Sequence, residues 1–124
     1  MQQWCMLLVG GLCGTAGRYV LAGAVYRWLG TGWPYGTLAV NASGCLIMGF
    51  VSTLAEQKFL LTPSSRSFWM IGLLGAYTTF STLIYESWQL LQGGEWLLAL
   101  LNLQGSLAVG LLALWIGHLL AFLL

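Results

Sequence analysis

Apolar residues gather along this chain in four stretches, each long enough to cross a bilayer as a helix and separated by short polar interruptions. A helix needs roughly 20 apolar residues to span the hydrocarbon. On that measure the spans cover about residues 4–29, 33–54, 68–91 and 96–124. Gly30-Thr31-Gly32 divides the first pair. Glu56-Gln57-Lys58 and Thr62-Pro63-Ser64-Ser65-Arg66 divide the second from the third, and Gln92-Gly93-Gly94-Glu95 precedes the fourth. Trp4, Trp28, Trp33, Trp69, Trp88 and Trp96 fall near span ends, where amphipathic rings favour the headgroup region. The pattern predicts an all-α membrane protein with one four-helix transmembrane domain over residues 1–124.

Polar and small residues inside the spans recur at helical spacing. Asn102, Ser106, Gly110, Ala113 and Gly117 share one face of the fourth span, and Thr37, Asn41, Gly44 and Met48 share one face of the second. Gly10, Gly14 and Gly17 line the first span beside Arg18, while Gly75, Thr79, Thr82 and Glu86 form a stripe on the third. The ordinary reading of such stripes is close helix packing, because small residues let backbones approach in lipid. Asn41, Asn102, Arg18 and Glu86 ask for more, since a polar or ionisable group at depth needs a partner or water. Arg18 requires an anion, carbonyls or water; Glu86 lies nearer a span end and is also compatible with the interface. The run Gly75–Thr82 concentrates Gly, Thr and Ser, weak helix formers, in the middle of an apolar span. It predicts a break in the third helix, which is tolerated at depth where it is buried in protein or lines a cavity.

Composition narrows the chemistry. Only 6% of the 124 residues are charged, against about 25% in soluble domains. Four Lys and Arg scattered along the chain cannot build a phosphate-binding patch, so nucleic acid is not a partner. Cys5, Cys13 and Cys45 stand alone in apolar runs, and His118 is the single histidine, so no zinc or redox motif is present. Gln2 and Gln3 give no basic region of a secretory signal. The acids are Glu56, Glu86 and Glu95, two of them in loops, which argues against an enzyme. Amide and hydroxyl donors, one Arg and few buried acids suit an anion. Lys58 and Arg66 oppose Arg27 across the membrane, a weak orientation bias that permits insertion both ways.

Several local patterns coincide with one family. Gly10-Gly11-Leu12-Cys13-Gly14-Thr15-Ala16-Gly17-Arg18-Tyr19, Gly36-Thr37-Leu38-Ala39-Val40-Asn41-Ala42-Ser43-Gly44, and Gly72–Thr82 followed by Glu86 resemble, in order, motifs of the small CrcB/Fluc fluoride channels. Asn102 and Ser106-x3-Gly110 resemble that family's fourth span. The resemblance implies a multi-pass protein of the cell's inner membrane, an antiparallel dual-topology homodimer with two fluoride pores that exports cytoplasmic F⁻ and protects against its toxicity. It implies a structural Na⁺ at the dimer centre, held by the Gly75 and Thr78 carbonyls. It places Asn41 and Phe80 in the pore with Asn102, Ser106, Thr79 and Thr82, and Arg18 and Glu86 at the vestibule. The chain departs from the family at Leu83, where a second aromatic is usual. A proton-coupled drug exporter of the same size and a structural membrane subunit are the alternatives; the first needs a membrane-embedded acid, and span one carries Arg18 and no acid.

Overall fold

A computed structural model describes residues 1–124 and is helical throughout, with no strand. Helix α1 runs Gln2–Leu29 and α2 runs Tyr35–Glu56. The third rod is composite. It consists of α3 (Pro63–Arg66), a π-helical stretch (Ser67–Leu73), α4 (Leu74–Tyr77) and, after two extended residues, α5 (Phe80–Gln92). Helix α6 runs Trp96–Phe122. Four rods are therefore long and apolar enough to cross a membrane.

Thr62–Arg66, expected as loop, instead starts the third rod. The Thr62 hydroxyl accepts from the Ser65 N–H at 3.2 Å and Pro63 takes the first helical position, a strong helix start. Arg66 turns its guanidinium back to the Ala55 carbonyl in the last turn of α2, tying the connecting loop down. The other boundaries differ from expectation by a few residues. Pro34 precedes α2, and Gly30, at φ 81°, ends α1 in a conformation that side chains resist.

The π-helical stretch was not expected. It lies against the glycine face of α1, and there the two backbones touch. A Cβ on Gly14 would overlap the Leu73 carbonyl, and one on Gly72 would come within 2.9 Å of the Leu7 carbonyl. Helix α2 packs chiefly on α6 in the same manner: a Cβ on Gly49 would strike the Leu114 carbonyl, and one on Gly117 the Leu46 carbonyl. Little apolar side chain is buried, since lipid offers no hydrophobic reward for burying it; close backbone contact takes its place.

The third rod changes partners at its break. Its first half packs on α1, and α5 packs on α6. Residues Thr78 (φ −80°, ψ 158°) and Thr79 (φ −150°, ψ 112°) make the joint. The break expected within Gly75–Thr82 thus falls three residues beyond Gly75.

Candidate functional site

A chain interrupted at mid-span must satisfy the backbone groups it frees. Asn41, on α2, does this with both ends of its amide. Its Nδ2 donates to the Thr79 carbonyl at 3.0 Å, and its Oδ1 accepts from the Thr79 N–H at 2.8 Å. That N–H would otherwise bond to Gly75, so the Gly75 carbonyl loses its helical partner. Thr79 in turn caps α5, its Oγ1 accepting from the Thr82 N–H at 3.3 Å and lying 2.9 Å from the Thr82 hydroxyl. The Thr78 hydroxyl donates back to the Leu74 carbonyl at 3.0 Å, and its methyl sits where a Cβ on Gly44 would be. A second tie joins Ser43 and Tyr77, whose hydroxyls are 2.7 Å apart.

Two cavities meet at this joint. The apolar one, about 520 Å³, is lined by Asn41, Thr78, Thr79, Phe80, Leu83 and Ser106, with leucines of α6 completing the wall. Ser106 is buried and its hydroxyl has no partner. Phe80 and Leu83 do approach one space, as their i, i+3 spacing on a helix requires. Phe80 is 76% exposed on the single chain.

The second cavity, about 410 Å³, is polar. Arg18, Tyr26, Thr37, Thr79, Thr82 and Glu86 line it. The Glu86 Oε1 accepts from the Thr37 hydroxyl at 2.8 Å and from the Tyr26 hydroxyl at 3.1 Å, while its Oε2 is buried without a partner. Glu86 therefore turns toward hydroxyls of α1 and α2.

The structure thus brings Asn41, Thr79, Phe80 and Ser106 to one cavity, and Arg18, Thr82 and Glu86 with Thr79 to the other. Asn102 stands apart: it is fully buried, and its Nδ2 donates to the Ser87 hydroxyl at 2.9 Å, joining α6 to α5. Gly75 is exposed on the surface of the chain. Tyr26, absent from the sequence-derived set, was signalled by its place two turns beyond Arg18 on the same face of α1.

Comparison with known proteins places the chain in a family. Residues 5–118 match the family model described as CrcB-like protein, Camphor Resistance (CrcB). A protein of Magnetococcus marinus named fluoride-specific ion channel FluC is 43% identical over 93% of this chain and 94% of its own length. Proteins of the same name from Nitrosococcus oceani and Opitutus terrae are 39% and 40% identical, over 94% and 98% of this chain and 93% of each relative. With residues 5–118 matched by that family model and relatives about 40% identical over nearly their whole length, the chain belongs to the CrcB-like proteins.

Proposed function

We propose that the chain is a passive, fluoride-selective channel of the inner membrane that lets F⁻ leave the cytoplasm. The observation that carries this reading is the pair of cavities at the break, lined by neutral donors and one guanidinium with a single acid among them. The names of the relatives support it.

The donor set fits a small anion that has shed water. The Ser106 hydroxyl is free to donate, and the Asn41 amide nitrogen keeps a second hydrogen after serving Thr79. Phe80 can turn its electropositive ring edge toward the anion. Leu83 cannot, so here the neutral donors replace the second ring. The break also sorts charge by sign. The α5 N-terminus opens at mid-span with a partial positive charge, which favours an anion. The opposite half-helix ends in freed carbonyls, which favour a cation.

The exposed Gly75, with its unpartnered carbonyl, supports a structural Na⁺ between two copies of the chain, each supplying the Gly75 and Thr78 carbonyls. The weak orientation bias and the exposed Phe80 support an antiparallel homodimer with two pores. Opening such a pore needs no energy source. HF crosses lipid from an acidic exterior and dissociates inside. A membrane potential of 100 mV, negative within, then drives each F⁻ outward by about 2.3 kcal/mol.

Purified protein in liposomes should release fluoride under a potassium-diffusion potential with no proton gradient. Absence of efflux under that potential would remove the channel reading. Cation exchange dependent on a proton gradient would favour the exporter instead.

A further inference from the structure

Glu86 and Arg18 share the polar cavity, yet they form no ion pair. Arg18 is half-buried, and its guanidinium has no hydrogen bond within the chain. An acid and a base that line the same small cleft attract each other, the more so the less water lies between them. Two hydroxyls hold the carboxylate instead, Thr37 at 2.8 Å and Tyr26 at 3.1 Å, both on Oε1. Thr37 is buried. The Tyr26 ring is fixed by Gly36, where any Cβ would overlap it. The remaining oxygen, Oε2, is buried and unpartnered, and so is free to be drawn toward a cation.

Tyr26 and Glu86 are also the two residues shared by this cavity and a third one, about 400 Å³, at the Thr31–Pro34 loop. They therefore form the partition between the loop-side mouth and the cleft that reaches Thr79.

Building on the channel reading, we propose that Tyr26 is a positioning residue for conduction: its hydroxyl, with that of Thr37, holds the Glu86 carboxylate off Arg18 and keeps the guanidinium free for the passing anion. Without the tyrosine hydroxyl, Glu86 swings onto Arg18, neutralises it and closes the cleft.

The test uses full-length protein in liposomes. Tyr26→Phe keeps the ring on Gly36 and removes only the donor. Fluoride efflux should fall at least about tenfold, the scale of one hydrogen bond to a charged group. Glu86→Gln in the Tyr26→Phe background should bring efflux back to the rate of Glu86→Gln alone, a rescue that a packing defect would not show. An infrared measurement reads the same contact whatever the flux. The chain has only three acids, so the Glu86 carboxylate band can be assigned with ¹³C-glutamate and Glu86→Gln. Tyr26→Phe should shift that band, and the shift should change in size when Arg18→Gln is added, because the part due to the new contact with the guanidinium is then missing while the part due to the lost tyrosine hydrogen bond remains. Unchanged efflux in Tyr26→Phe, an unmoved band, or an identical shift with and without Arg18 overturns the proposal. Wild-type protein that releases no fluoride would sink the channel reading, while the infrared result would still report on Tyr26.

Discussion

Asn41 holds the break in the third rod by two hydrogen bonds, and its removal should loosen that joint by a calculable amount. Asn41→Ala deletes the donor to the Thr79 carbonyl and the acceptor for the Thr79 N–H. Each lost bond contributes ~1 kcal/mol net, and a freed backbone group with no water to turn to raises the cost toward the 1–3 kcal/mol of an unsatisfied polar atom. Two such losses come to about 2–6 kcal/mol of local stability, which is roughly a 30- to 20,000-fold increase in opening of the joint. Amide hydrogen exchange read by mass spectrometry should show this in peptides covering residues 76–82. Exchange there should accelerate by at least about thirtyfold, while α1 and the α2–α6 contact stay protected. Asn41→Asp tests the anion pathway. It keeps the acceptor for Thr79 N–H but sets a carboxylate oxygen against the Thr79 carbonyl and into the cavity, so fluoride efflux should nearly vanish with assembly retained. Unchanged exchange at residues 76–82 in Asn41→Ala would refute the clamp. Wild-type efflux in Asn41→Asp would take Asn41 out of the pathway.

Phe80→Ile should cut fluoride flux at least about tenfold through loss of the ring edge, whereas Leu83→Phe should preserve or raise it; matched reconstitutions of equal protein content measure both, and loss of flux in Leu83→Phe would show a cavity closed around the smaller leucine. Gly14→Ala should cost about 1–3 kcal/mol by forcing α1 off the Leu73 carbonyl, and Gly23→Ala, where a Cβ meets nothing within 4 Å, should cost nothing; thermal unfolding in detergent compares them, and equal melting temperatures would contradict the backbone contact. A single cysteine placed in the Gly30–Trp33 loop, in a chain freed of its native cysteines, should be labelled from both sides of the membrane; modification from one side alone would exclude the antiparallel homodimer.

The four rods were legible because a transmembrane helix must be apolar over its whole length, and the stripes were legible because helix periodicity survives in lipid. The buried face of α6 reads Asn102, Ser106, Gly110 and Gly117, as their spacing predicted. The break was legible in kind from the weak helix formers of Gly75–Thr82, but its position depends on Asn41, thirty-eight residues earlier in the chain. No local pattern carries such a pairing. Thr62 and Pro63 did carry a helix-start signal that polarity alone disguised as loop. The π-helical stretch was hidden because the apolar pattern does not distinguish it from an α-helix; in the structure it packs on the glycine face of α1. Glu86 could not be placed by span position, since what draws it inward is a pair of hydroxyls on two other helices.

The pairing of α2 with α6 has a consequence for how the protein is made. Helix α2 leaves the ribosome second, yet its main partner is the last span. Between Glu56 and Trp96 the ribosome adds residues for about 2–8 s at ordinary rates of synthesis. For that interval the glycine face of α2, with Gly49 and the half-exposed amide of Asn41, has no α6 to close against. The first half of the third rod can dock on α1 as soon as it inserts, because both are already present. Assembly therefore proceeds from one side of the bundle to the other, and α6 arrives to complete a cavity whose remaining walls have been waiting for it.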